Sequence, residues 1–227
     1  MKAISDIDWA LAWTQQIDLC NALPSHFKVD RLDALATTIQ HISLTPDSIH
    51  TLDLVAKGCL CDDTMCMVAR KLFDKDDNVT FVDPSILGIV LNGLVTVDTE
   101  QIRTILRSSR SEFILIPANC NGNHWCSIMI RSSTKEAHIY DPMCSKYIIF
   151  VRAAAHKLAQ LLNTTTTGTA YTIHAYCTDV GIPYDSYNCS VYVLLNFEQF
   201  TGAPRWGSVN KNMLQSLRYR YFRVCFG

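Results

Sequence analysis

The sequence predicts an α+β fold in which a central mixed sheet is flanked by helices. Three observations point there. Short apolar segments with β character cluster mid-chain, at 113–116, 125–130 and 137–140. Segments with helical periodicity lie on both sides of that cluster. Strands and helices do not alternate as regular βαβ units, which argues against a doubly wound parallel sheet.

In chain order, apolar positions Ile7, Ala10, Leu11, Ile17 and Leu19 predict a helix over 6–22. A second helix is expected over 31–42, followed by the turn and helix-start signal Thr45-Pro46-Asp47-Ser48. Asp62 and Asp63 open a helix over 62–73, and Val79–Val82 is a strand ending at Asp83-Pro84. Asp98-Thr99 opens a helix over 98–107. The strands at 125–130 and 137–140 are joined by the charged turn Arg131–Glu136, a hairpin. An amphipathic helix follows over 146–162, then the surface turn Thr164–Gly168, a strand over 171–177, and helices over 189–201 and 209–221. Residues 1–50 read as a helical extension or cap, and 51–227 as the main domain.

A chain of 227 residues with 48% hydrophobic and 18% charged residues has ample material for a buried core. Its net charge of −1 does not favour nucleic acid or an anionic membrane surface. Arg218, Arg220 and Arg223, interleaved with Tyr219, Tyr221 and Phe222, read as the solvated face of a terminal element. No apolar run approaches the roughly 20 residues of a membrane span, and the N-terminus has acidic residues in place of an apolar signal core. An intracellular protein, cytoplasmic or nuclear, is expected. Its ten cysteines then read as reduced thiols. Cys59, Cys61 and Cys66 are spaced C-x-C-x4-C with no nearby histidine, so no metal or cofactor is expected.

Chemistry concentrates around Tyr184-Asp185-Ser186-Tyr187-Asn188-Cys189, where a polar loop carries a cysteine into an apolar helix. A thiol at a helix N-terminus is placed where the dipole favours thiolate, and Asn188 is positioned to cap the helix. His124 starts a strand after the polar loop 119–123, and Asp141 ends the next strand, 17 residues later. Across a hairpin, that separation lets the two side chains meet at one sheet end. Taken singly, a histidine before tryptophan, an aspartate before proline and a cysteine in an apolar helix are ordinarily structural. Their order is what suggests a nucleophile, base and orienting acid.

These residues resemble the SUMO-specific, ubiquitin-like-protein proteases of the adenain-like cysteine peptidase fold. His124-Trp125, Asp141 and Asp185-Ser186-Tyr187-Asn188-Cys189 match that family's strand, acid and nucleophile motifs. Cys59-Leu60-Cys61-Asp62-Asp63-Thr64 resembles its Trp-Leu-Asn-Asp helix opening. The resemblance covers roughly 55–221. It implies catalytic residues His124, Asp141 and Cys189, substrate contacts at Trp125 and Asp62, no cofactor, and a ubiquitin-like modifier or other protein as partner. Three positions depart from the family, one of them Ser190, a small residue in place of the glycine after the cysteine. Pro183 stands where the oxyanion glutamine would be, six residues before Cys189, and offers no donor. Cys59, or Leu60 if the match slips by one, replaces the tryptophan that helps roof the substrate tunnel. Tyr184, Ser186 and Asn119 remain open as substitute donors beside the Cys189 backbone N–H. The expected function is a thiol peptidase or isopeptidase acting, through a Cys-His-Asp triad, on the C-terminal tail of a ubiquitin-like modifier or on a related protein substrate. A catalytically impaired protein-binding module and an acyltransferase on the same fold are the alternatives.

Overall fold

A computed structural model describes residues 48–55, 58–89, 95–165 and 170–226. The helices expected over 6–22 and 31–42, and nearly all of the 1–50 extension, lie outside the described residues. Five helices are described: α1 (Asp62–Phe73), α2 (Thr99–Ser108), α3 (Ile148–Thr165), α4 (Cys189–Phe200) and α5 (Lys211–Phe226). Seven strands accompany them: β1 (Val79–Phe81), β2 (Leu87–Ile89), β3 (Val95–Val97), β4 (Phe113–Cys120), β5 (His124–Arg131), β6 (Glu136–Tyr140) and β7 (Thr172–Ala175). Short 3-10 segments cover Ser48–Leu54 and Pro84–Ile86.

All seven strands form one mixed sheet in the order β3-β2-β4-β5-β6-β7, with β1 also paired to β4. β4–β5 and β5–β6 are antiparallel, so the expected 131–136 hairpin forms. β7 returns parallel to β6 after the α3 crossover. The β4–β5 connection is tight: Asn121 and Gly122 take positive φ values of 58° and 74°, as a hairpin with matching twist requires, and Cys120 pairs with His124.

The longer β4 corrects the expected strand end at Ile116. Pro117 lies inside the strand, paired with Ser127. Its neighbours explain why it is tolerated. Leu115 and Phe113 direct their backbone groups to the β1 side, through Val82 N–H to Leu115 O and Phe113 N–H to Asn78 O. By alternation Pro117 faces that same edge. β1 pairs with 113–115 and β2 with 119–120, so the proline sits at the junction between the two short strands, where its missing N–H interrupts no ladder. β2 and β3, three residues each, are too short to show a period in sequence. The expected turn from Thr164 is displaced by α3, which runs through Thr165; the rest of that run lies outside the described residues.

Both sheet faces are covered. One core packs α1, α4 and α5 around Leu115, Trp125 and Met129. The other packs α2 and α3 around Ile116, Cys126, Ile128 and Ile130. This explains why β5 is buried over seven consecutive residues and shows only loose alternation in sequence. No helix among the described residues is long and apolar enough to cross a membrane.

The terminal arginines are not a solvated face. Arg220 donates through both terminal nitrogens to Glu198, at 2.7 and 2.6 Å, and Tyr221 Oη donates to the same carboxylate at 2.8 Å, joining α5 to α4. Arg218 is 3% exposed. It donates to the carbonyls of Asp53, Leu54 and Gly58 and to Asn188 Oδ1, and its guanidinium lies over the Tyr187 ring. Burial lowers its pKa to about 10, so it stays charged at neutral pH.

Replacing Arg218 with alanine strands several buried acceptors at once. Arg218→Ala is expected to lower unfolding stability by about 3 kcal/mol or more, measured as a shifted urea midpoint at unchanged slope.

Candidate active site

The sheet end formed by the start of β5 and the end of β6 brings His124 and Asp141 together. His124 Nε2 and Asp141 Oδ1 are 2.7 Å apart, and both residues are buried. The chain turns around the carboxylate. Met143 N–H donates to Oδ1 at 3.0 Å, and the Ser145 backbone N–H and hydroxyl each donate to Oδ2 at 2.6 Å. Tyr147, at the entrance to α3, stacks on the imidazole with ring centroids 5.7 Å apart. Burial alone would raise the Asp141 pKa, but the hydrogen bonds from His124 and Ser145 outweigh it and hold the carboxyl below its ordinary value. An ionised Asp141 only accepts, so the His124 proton belongs on Nε2. Nδ1 is then the basic nitrogen, and it is buried without a hydrogen-bond partner.

Cys189 is the first residue of α4 and is fully buried. Its sulfur accepts the Trp125 backbone N–H at 3.4 Å. The strand that carries His124 therefore also holds the thiol, through the next residue. Burial pushes the Cys189 pKa up to about 12; the Trp125 and Ser190 backbone N–H groups oppose the rise and Cys59 adds to it. The expected preference for thiolate is thus overridden by desolvation in this thiol-resting arrangement.

Asn188 does not cap α4 with its side chain. Its Nδ2 donates to Asp185 Oδ2 at 2.8 Å and its Oδ1 accepts from Arg218 at 3.0 Å. Asp185 Oδ1 also accepts the N–H groups of Tyr187 and Asn188, which fixes the approach to the cysteine. The capping expectation fails because a buried guanidinium competes for the amide oxygen. The N–H groups at the start of α4 are left with no side-chain cap beside the sulfur.

Trp125 is buried, and its indole Nε1 donates to Leu60 O at 2.8 Å, anchoring the 59–60 segment. Asp62 accepts from Asn119 Nδ2 at 2.6 Å, and Asn119 Oδ1 accepts Gly122 N–H. The Asn119 side chain is therefore engaged away from Cys189. Tyr184 is 71% exposed. Ser186 contributes its carbonyl to Cys59 at 3.5 Å.

The cysteines at 59, 61 and 66 do not converge. Cys59 donates to Asn123 O at 3.3 Å, Cys61 contacts Thr64 at 3.3 Å and Cys66 contacts Asp83 at 3.4 Å. Among the described residues, two other groups place three possible ligand atoms within 4.8 Å: His50, Cys61 and Asp63, and His124, Cys126 and Asp141. In the second, the His124–Asp141 hydrogen bond already occupies one atom of each partner.

Sequence reasoning missed Arg218, Ser145 and Tyr147. The Asp-Pro-x-x-Ser run at 141–145 carries a readable Asx-turn signal for Ser145. Arg218 carries none, since its backbone acceptors lie some 160 residues away and Asn188 lies 30 residues away.

The family model for the C-terminal catalytic domain of the Ulp1 protease family matches residues 101–226. Solved structures agree in fold. The SUMO protease Ulp1 with its catalytic cysteine oxidised to a sulfenic acid is 15% identical, with a TM-score of 0.61 over 97% of this chain and 94% of that one. The Ulp1 protease domain in complex with Smt3, the yeast orthologue of SUMO, is 13% identical, with a TM-score of 0.57 and coverage of 97% and 94%. A de-sumoylating protease is 14% identical, with a TM-score of 0.53 over 78% of this chain and 85% of that one. No curated protein matches the chain.

Two measurements probe the site. Because the Asp141 pKa is depressed on folding, its stabilisation is complete above the unfolded value of about 3.9 and is lost as pH falls through the folded value. Asp141→Asn is expected to cost about 1–3 kcal/mol at pH 7, with the difference from wild type shrinking below about pH 4 in pH-resolved denaturation. His124→Ala removes the candidate base, so iodoacetamide should alkylate Cys189 more slowly at pH 7 in that variant.

Proposed function

Because the chain belongs to the Ulp1 protease family, we propose that it is a thiol peptidase or isopeptidase that cleaves at the C-terminal tail of a ubiquitin-like modifier. Cys189 is the nucleophile, His124 the base and Asp141 the residue that orients it. The observation that carries this reading is the unpartnered, buried Nδ1 of an imidazole whose Nε2 is held by a carboxylate. Such a nitrogen lacks only a proton donor, and a thiol stands at the adjoining helix start.

In the reaction, His124 Nδ1 takes the Cys189 proton as the sulfur attacks the scissile carbonyl. The imidazolium then returns that proton to the departing amine, leaving a thioester. Water, activated by the same nitrogen, hydrolyses it and frees the thiol. Asp141 stabilises the imidazolium between these steps. The high resting pKa of Cys189 fits a thiol that ionises by transfer to histidine when substrate arrives rather than one stored as thiolate. The uncapped α4 start supplies the Cys189 N–H to the developing oxyanion. Asp62 meets a basic patch on the modifier, and Trp125 shapes the tail groove by fixing Leu60. A reducing compartment, cytoplasm or nucleus, suits this chemistry.

Pro183 favours a second reading, a weakly active member that binds a modifier without efficient turnover. Losing one oxyanion donor costs about 10²–10³ in rate.

C-terminal propargylamide probes of SUMO, ubiquitin and related modifiers test the proposal. Wild type should be labelled by at least one, Cys189→Ala by none, and His124→Ala much more slowly. A folded wild type that resists every probe yet binds a modifier would select the second reading; one that neither reacts nor binds would reject both.

A further inference from the structure

Among the described thiols, Cys59 is hydrogen-bonded both to the backbone just before His124 and to the loop that leads into Cys189. Its sulfur donates to Asn123 O at 3.3 Å and Ser186 O at 3.5 Å. The first acceptor directly precedes His124, and the second lies three residues before Cys189. Cys59 is therefore wedged between the histidine strand and the cysteine loop. The segment is held there by the Trp125 indole on Leu60 and by Arg218 on Gly58. Cys59 Sγ lies 3.3 Å from Asn123 O and Cys189 Sγ lies 3.4 Å from Trp125 N, so both sulfurs stand on the same short stretch of backbone, 123–125. Cys59 is partly exposed, whereas Cys189 is buried.

The other cysteines are placed differently. Among the described residues, Cys61 and Cys66 face Thr64 and Asp83. Cys120 and Cys126 lie in the opposite core, and Cys225 is buried in the same core as Cys189 but away from the loop. Cys144 and Cys177 are exposed. Of these described thiols, only Cys59 links solvent to the nucleophile.

We propose that Cys59 and Cys189 form a reversible intramolecular disulfide, a modification site that closes the active centre under hydroperoxide stress. One thiol reduces a hydroperoxide to the alcohol and becomes a sulfenic acid. The other thiol then attacks that sulfur, forming the S–S bond and releasing water. The two electrons come from the two thiols and the hydroperoxide accepts them. The bridge occupies the nucleophile, and it shields Cys189 from irreversible oxidation to sulfinic and sulfonic acids. A reducing thiol restores both cysteines by exchange. Loss of activity on bridging rests on the peptidase reading, but the cross-link itself does not.

The full chain is treated with hydrogen peroxide, its free thiols are blocked with N-ethylmaleimide, and it is digested without reductant for mass spectrometry. The expected result is a linked pair of peptides containing Cys59 and Cys189. Alkylation of Cys189 should fall by about tenfold or more and return with dithiothreitol. In Cys59→Ser, the same treatment should carry Cys189 to acids that dithiothreitol does not reverse. Wild-type Cys189 that stays a thiol, or that reaches sulfinic or sulfonic acid without the cross-link, overturns the proposal, as does equal recovery in Cys59→Ser. A chain that cross-links but reacts with no modifier probe would reject the peptidase reading and leave this one standing.

Discussion

The buried guanidinium of Arg218 is the constraint on which the site depends. One side chain satisfies three carbonyls from the 53–58 segment and the amide oxygen of Asn188. The C-terminal helix thereby fixes both lips of the site: the segment carrying Cys59 and Leu60, and the loop that delivers Cys189. Desolvating a charge this fully is costly, and its several acceptors are what offset the cost. Asn188 shows the resulting competition. A helix start would ordinarily claim its oxygen; the guanidinium takes it instead and leaves backbone N–H groups free beside the sulfur.

Electrostatics within the site divide along the sheet end. Asp141 is surrounded by donors and kept ionised despite its burial. Cys189 is surrounded mainly by apolar atoms and kept neutral. The imidazole beside the carboxylate has one nitrogen committed to it and one without a partner. A neutral thiol and neutral imidazole at rest avoid the cost of a buried thiolate, and charge separation is deferred to the moment a polar substrate replaces missing solvent.

What is legible in the sequence is local. His124-Trp125, Asp141-Pro142 and the polar loop entering α4 each mark a strand or helix boundary, so their placement follows from periodicity and turn chemistry. Strands of three residues leave no period to read. Pro117 hides the far half of β4 because its tolerance depends on which edge strand lies beside it, a tertiary fact. Arg218 and Arg220 resemble a solvated basic face because their partners, in the 53–58 segment and at Glu198, are remote in sequence. The raised Cys189 pKa escapes sequence reasoning on similar grounds: the helix dipole is visible there, whereas depth of burial is not.

The turn at Asn121 and Gly122 sets more than a hairpin. His124 and Trp125 are consecutive residues on opposite faces of β5, and they serve different ends, since one ring meets Asp141 and the other meets Leu60. A single inserted or deleted residue in this turn would exchange those faces along the whole of β5, because side chains alternate with a period of two. It would bury the imidazole in the wrong core and offer the indole to the carboxylate. The same holds at the 131–136 connection, since β6 carries Asp141 at its end. The turn acts as a reading frame for the site.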